Sequence, residues 1–226
     1  EMQDYTPVQY AVLARLFTCR KTVLGDAGQA LSAFGATDAA AIREALTTGT
    51  CVRLNKSFRS TWEIMQFALS ISPDPDLEPM RRPGAVPQVH VCRRPAELLA
   101  LLQHEIADFA ASDHRNLAVI CRTPKLAARW HKALQGRGVE ARLLDGRSEG
   151  WGSGVLVCTP HLAKGLEFDR VVVADANAEH YAAESDRKLL YVACTRAMHR
   201  LTVLAVGALT PLIPVAGAAA APQAQA

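Results

Sequence analysis

No C-x-x-C pair, secretory leader, internal repeat or G-x-x-x-x-G-K-[ST] phosphate loop occurs in the 226 residues. The six cysteines (Cys19, Cys51, Cys92, Cys121, Cys158 and Cys194) lie far apart and lack the spacing of a zinc or redox site. Four of them fall in apolar strand-like runs, which suits reduced thiols packed in a cytosolic core better than a disulfide framework. Without the phosphate loop there is no cradle for the β- and γ-phosphates of a nucleotide. A strong basic excess is missing too: a net charge of +3 permits nucleic-acid contact without arguing for it. The apolar C-terminal stretch "GALTPLIPVAGAAAAPQAQA" is broken by Pro211, Pro214, Gly217 and Pro222. Alanine adds little insertion energy, so residues 207–226 read as a disordered Ala/Pro-rich tail and no membrane span is expected.

What is present suits a soluble α/β protein. Half of the residues are hydrophobic and 21% are charged, enough apolar content for a real core. Thr6-Pro7 before "VQYAVLARLF" starts a helix. "KTVLGDAGQ" reads as a short buried strand running into a loop, "TDAAAIREAL" as a capped helix, "CVRL" as a strand and "STWEIMQFALSI" as a helix. The five prolines between residues 72 and 88 rule out long regular structure there. Beyond them the pattern alternates. Strands are expected at "QVHVC", "LAVICRT", "VEARLL", "GVLVCT", "RVVVAD" and "RLTVLAV", and helices at "PAELLALLQHEIADFA", "PKLAARWHKALQGRG" and "DRKLLYVACTRAMH". Apolar strands alternating with helices predict a mostly parallel sheet covered on both faces. Binding residues are then expected in loops at the carboxyl ends of the strands.

Several polar residues interrupt this pattern. At helical spacing Arg196 falls on the same arc as Leu189, Val192, Ala193 and Ala197. A buried guanidinium is costly unless an anion meets it. It either pairs with an internal carboxylate such as Asp175 or is held to meet a phosphate, for which a planar fork is suited. Arg59, where "CVRL" gives way to a helix, is either a solvated loop residue or an anion contact. Gln29 after "VLGDAG" can orient a water or a phosphate oxygen without adding charge. Between two apolar runs, "CTPHLAKGLEF" places Thr159, His161, Lys164, Gly165 and Glu167 in a hinge that a plain core does not need.

Taken in order, "EMQDYTPVQY", "TVLGDAGQALSAF", "LNKSFRST", "LAVICRTPKLAARWHKAL", "CTPHLAKGLEFDRVVV" and "DRKLLYVACTRAMHRL" resemble the later motifs of superfamily 1 helicases of the UvrD/Rep type, across residues 1 to about 205. "NKSFRSTWEI" and "LLYVACTRAMH" are closest in wording to the helicase IV and HelD-like branch. The resemblance implies a RecA-like lobe over residues 50–206, lacking its own phosphate loop, with residues 1–49 the end of a preceding RecA-like lobe. It implies catalytic roles for Glu1, which polarises the attacking water, for Gln29 as γ-phosphate sensor, and for Arg59 and Arg196 as arginines reaching the transferring phosphate. Gly165 and Glu167 would sit at the nucleotide, Glu167 on its sugar. Phe34, Thr159, His161 and Lys164 would contact nucleic acid. ATP and Mg2+ are the implied cofactors, both needing a first lobe. The family's metal-binding Asp would lie just before Glu1, and no metal ligand is assigned within the chain.

Departures from the family pattern set further expectations. Without a phosphate loop the chain by itself should not hydrolyse ATP. "ALSAFGAT" keeps one aromatic, Phe34, where translocating members carry two aromatics and an Arg. Stacking is worth ~1–3 kcal/mol per base, so single-strand grip is expected to be weak. About 100 residues separate Arg59 from Thr159, too few for the accessory domain of UvrD and Rep. Lys125, Arg129 and Lys132 form a basic stripe that either touches phosphates or is a solvated helix face. Two functions follow from the resemblance: a cytoplasmic ATP-dependent DNA helicase or translocase lobe, or a lobe of an ATP-driven factor acting on RNA polymerase. A degenerate interaction module is the third, against which Gln29, Arg59, Glu167 and Arg196 argue together. The chain is expected to be monomeric.

Overall fold

A computed structural model describes residues 1–31, 39–46, 50–145 and 152–214. A 3-10 turn, Met2–Asp4, precedes helix α1 (Pro7–Leu16), whose Thr6 and Gln9 form a capping box. A second 3-10 turn, Ala27–Gln29, is followed by α2 (Ala39–Leu46), which packs on α1 through Tyr10 and Ile42. Next come strand β1 (Lys56–Ser57), helix α3 (Trp62–Ile71) and strand β2 (Glu78–Pro79), the two strands pairing in parallel. The remaining elements are β3 (Gln88–Cys92), α4 (Pro95–Ala110), β4 (Asn116–Cys121), α5 (Pro124–Gln135), β5 (Ala141–Leu143), β6 (Gly154–Cys158), α6 (Pro160–Ala163), β7 (Phe168–Ala174), α7 (Asp186–Cys194) and β8 (Ala197–Val206).

Strands β3 to β8 make one six-stranded sheet in the order β3-β8-β7-β4-β6-β5, every neighbouring pair parallel. Side chains alternate across a pleated strand, and here both faces are apolar. Ala118, Ile120, Leu156, Val171, Val173, Leu201 and Val203 meet α3, α6 and α7 on one face. Leu117, Val119, Cys121, Val157, Val172 and Leu204 meet α4 and α5 on the other. The expected parallel α/β architecture, RecA-like with helices on both faces, is therefore what forms.

Four local expectations differ from the structure. "KTVLGDAGQ" forms no strand: it runs beside the first turn, tied through Met2 N–H to Leu24 O at 2.9 Å, with Leu24 72% exposed. Cys51–Leu54 is likewise unpaired, with Val52 and Leu54 exposed, because only Lys56 and Ser57 find a partner strand. Helix α7 stops at Cys194 instead of running to His199. Its extension is pre-empted by the sheet, since Phe168 N–H donates to Arg196 O at 3.0 Å and Ala197 already pairs with Phe168. The presumed tail starts later than residue 207: Leu212 and Ile213 are buried in the core, and Thr210 N–H and Oγ1 bond to Ala176 O and Tyr181 O. Residues 215–226 lie outside the described residues.

Candidate functional site

Gln29, Arg59, Glu167 and Arg196, singled out from the sequence, converge where β7 and β8 begin. Leu166 and Glu167 lead into β7, and Thr195 and Arg196 lead into β8. Ser60, at the head of α3, reaches the same point, donating from Oγ to Ala197 O at 2.6 Å. The expectation that binding residues gather at the carboxyl ends is overturned for this cluster. Glu167 and Arg196 stand at the amino ends because each lies on a connection returning to the start of a parallel strand, and Gln29, Arg59 and Ser60 meet them there from the preceding segments.

Arg196 is 1% exposed, and its guanidinium is met by neutral acceptors. Nε donates to Val192 O at 3.2 Å, and one terminal nitrogen to Leu166 O at 3.4 Å. The other donates to Gln29 Oε1 at 2.8 Å and to Thr195 Oγ1 at 3.5 Å. Among the described residues no carboxylate lies within ion-pairing distance of it. Asp175, the internal partner considered above, sits beyond the far end of β7 and instead accepts from Trp130 Nε1 at 2.7 Å. Burial, then the nearby positive charge of Arg59, pulls the Arg196 guanidinium from 12.5 down to about 10, so it stays charged at neutral pH.

Arg59 is half-exposed and pairs through Nε with Glu167. Gln29 is held at both ends, its Oε1 by Arg196 and its Nε2 by Asp26 Oδ2 at 2.9 Å. Asp26 also accepts from Gly28 N–H at 2.8 Å, which makes it the brace of the turn that presents Gln29. Gly165 has φ +79°, a left-handed conformation suited to glycine, and a Cβ there would lie 3.9 Å from Glu1 Oε1. Glu1 accepts from Gln3 Nε2 at 2.6 Å, and Lys164 Nζ pairs with Asp4 and stands 3.7 Å from Glu1. Lys164, read from the sequence as a nucleic-acid contact, thus faces the acidic first turn.

Thr159 is buried at the carboxyl end of β6, where its carbonyl accepts from the N–H groups of Leu162 and Ala163. That end lies more than about 20 Å along the strands from the arginine cluster, since Thr159 is level with Ala174 and a strand rises about 3.3 Å per residue. His161 is exposed on α6. The stretch 157–175 therefore leaves one end of the sheet at Thr159 and returns at Glu167 to the other. Phe34 lies outside the described residues. The Lys125, Arg129 and Lys132 stripe is exposed on α5, with Arg129 over the Trp130 ring, 5.2 Å from its centroid.

Sequence reasoning passed over Ser60, Arg82 and Leu166. Ser60 carries no signal that marks it apart from other serines at a helix start. Arg82 was lost in the proline-rich loop, where nothing sets it apart from Arg81. Leu166 acts through a carbonyl, which no residue type announces.

With this geometry in place, comparison with known proteins is informative. Residues 154–204 match the family model described as UvrD-like helicase C-terminal domain. The crystal structure of the C-terminal domain of a possible DNA helicase from Lactobacillus plantarum WCFS1 is 35% identical, with a TM-score of 0.61, covering 70% of this chain and 92% of that one. Arterivirus nonstructural protein 10, a helicase solved with DNA, is 14% identical (TM-score 0.39; 67% of this chain and 34% of that one). The C-terminal domain of the DEAD-box protein Dbp5 is 17% identical (TM-score 0.36; 54% and 78%). Both of these fall below the similarity that establishes a common fold. A search of curated proteins returns no match. The 35% identity over nearly all of the Lactobacillus domain, and the match over β6 to β8, make this chain a member of the UvrD-like helicase C-terminal domain family.

Proposed function

We propose that the chain is the second motor lobe of an ATP-dependent DNA helicase or translocase. In this reading Arg59 and Arg196 bring positive charge to the transferring phosphate of an ATP held by a preceding lobe, of which residues 1–49 are the end. One observation carries the reading: a fully buried, charged guanidinium that meets only neutral acceptors and has a second arginine beside it. Glu167, paired with Arg59, and Asp26 offset part of this positive charge from a distance. The desolvation that remains favours an arriving anion, and a triphosphate supplies both the charge and the oxygen pairs that two guanidinium forks match.

The other residues fit the same chemistry. Gln29, fixed by Asp26 and Arg196, can orient a water or a phosphate oxygen. Glu1 stands beside Gly165 as a base that would polarise the attacking water. Glu167 has a second carboxylate oxygen beyond the one that holds Arg59, which suits a sugar hydroxyl. Mg2+ would arrive with the nucleotide and offset its charge; no residue of this chain is assigned to it. Thr159, His161 and Lys164 lie on the segment that runs from the carboxyl end of β6 to Glu167 at the start of β7, and this supports a role in relaying strand contact to the phosphate end. Phosphoryl transfer depends mainly on positioning and charge neutralisation, with an arginine in this role worth ~10³- to 10⁵-fold.

In the intact protein, Arg196→Ala should lower the ATPase kcat by roughly 10³-fold or more, and this chain by itself should hydrolyse no Mg-ATP. An unchanged kcat in the variant, or an Arg196-dependent rate from the isolated chain, would overturn the reading. A HelD-like factor acting on RNA polymerase would use the same phosphate chemistry, and the lone Phe34 after Gln29 favours it. Strand displacement without polymerase binding supports the helicase; polymerase binding without strand displacement supports the remodelling factor.

A further inference from the structure

Arg59 poses a problem of positioning. Its side chain is 41% exposed and held by a single ion pair with a half-exposed Glu167. Such a pair fixes little by itself, yet an arginine that must meet a phosphate beside Arg196 has to be placed closely. Its backbone, in contrast, is firmly tied. The residue after Arg59 is bonded to the residue after Arg196: Ser60 Oγ, 1% exposed, donates to Ala197 O at 2.6 Å. Arg82 makes the second tie. One terminal nitrogen donates to Arg59 O at 3.2 Å, and the other donates to Met198 O at 2.9 Å and lies 3.0 Å from His199 Nδ1.

The loop carrying Arg82 is itself seated on the head of α3. Trp62 N–H donates to Arg82 O, and Gly84 N–H donates to Glu63 Oε2, both at 2.8 Å. Gly84 is pressed so closely on Thr61 that a Cβ would fall 2.2 Å from Thr61 Cγ2. We infer that Ser60 and Arg82 are positioning residues that lock the backbone of Arg59 to the start of β8, so that Arg59 and Arg196 are presented as one unit. Neither residue touches the phosphate. Arg82 needs its fork for this, because two carbonyls on different segments are held by two separate nitrogens.

The inference rests on the phosphate reading, and one mutant cycle tests both. In the intact protein, Ser60→Ala, Arg82→Ala and Arg82→Lys should each lower the ATPase kcat about 10- to 100-fold, the range expected for misplacing a catalytic group by about 1 Å. The KM for ATP should stay close to wild type, and each variant should remain folded at the assay temperature by its melting curve, so that the loss of kcat reads positioning and not unfolding. The double variant Arg59→Ala/Arg82→Ala should be no slower than Arg59→Ala, since Arg82 acts through Arg59. If Arg59→Ala is slow but the double variant loses the product of both effects, the lock is wrong and the phosphate reading survives. If Arg59→Ala has wild-type kcat, the phosphate role of Arg59 fails and the lock fails with it. A fully active Arg82→Lys would overturn the two-carbonyl span. Should Arg82→Ala not fold, Ser60→Ala and Arg82→Lys decide the matter, and wild-type kcat in both overturns it.

Discussion

Arg196 and Asp175 are both buried and charged, and they are satisfied in different ways. Arg196 bonds to four neutral oxygens, an arrangement suited to a cation awaiting an external anion. Asp175, 3% exposed and in a left-handed conformation at φ +57°, is answered inside the fold by the Trp130 indole. The two therefore respond oppositely to mutation. Trp130→Phe removes that indole donor from a buried carboxylate and should destabilise the protein by about 1–3 kcal/mol, read as a lower urea midpoint. Arg196→Ala removes a desolvated charge, and its loss should fall on catalysis far more than on stability. A midpoint unchanged by Trp130→Phe would mean that Asp175 is solvated in solution.

At the scale of elements, helix α3 and the loop over its head matter most. Ile64, Met65, Ala68 and Ile71 bury one face of α3, while Trp62, 41% exposed, stays at its rim. The helix is legible in "STWEIMQFALSI", whereas which of its apolar residues are buried is set by what packs on it. The loop that crosses it was legible only as irregular, since prolines announce where regular structure stops and not what a loop rests on. Gly84 records that contact. Gly84→Ala should cost about 1–3 kcal/mol through overpacking against Thr61 and should expose the 80–84 loop to protease. Wild-type stability and cleavage would show that the loop stands off α3 in solution.

Across the whole molecule, the two-faced sheet decides which groups meet water. Cys92, Cys121, Cys158 and Cys194 are buried, and Cys19 and Cys51 are exposed. A thiol reagent should therefore titrate two of the six cysteines in the native protein and all six after unfolding. Burial also raises the acidic groups of the core. The Cys158 thiol moves from 9.0 to about 12 and the Tyr191 hydroxyl from 10.0 to about 12, with Cys121, Cys194 and Tyr181 raised for the same reason. The folded state thus holds protons that the unfolded chain releases. Their stabilisation is complete below pH 9 and is lost as pH rises through about 9 to 12. Arg196, pulled down to about 10, runs the other way and offsets part of the loss. Urea midpoints under reducing conditions should fall between pH 8 and pH 11; a flat profile would contradict the burial of these groups.

By itself the sequence determined the parallel α/β class, since near-continuous apolar strands alternating with helices leave few other ways to cover both faces of a sheet. It also singled out Gln29, Arg59, Glu167 and Arg196, which the fold brings into one cluster. Tertiary structure decided where they stand. Strand pairing ended α7 at Cys194, because the hydrogen bond from Phe168 and the pairing of Ala197 override the good helical propensity of Arg196 and Ala197. The same pairing put the cluster at the amino ends of β7 and β8. It also brought Ser60 and Arg82, far apart from β8 in the chain, onto carbonyls of that strand, contacts made between backbone and side chain that no periodicity or motif encodes.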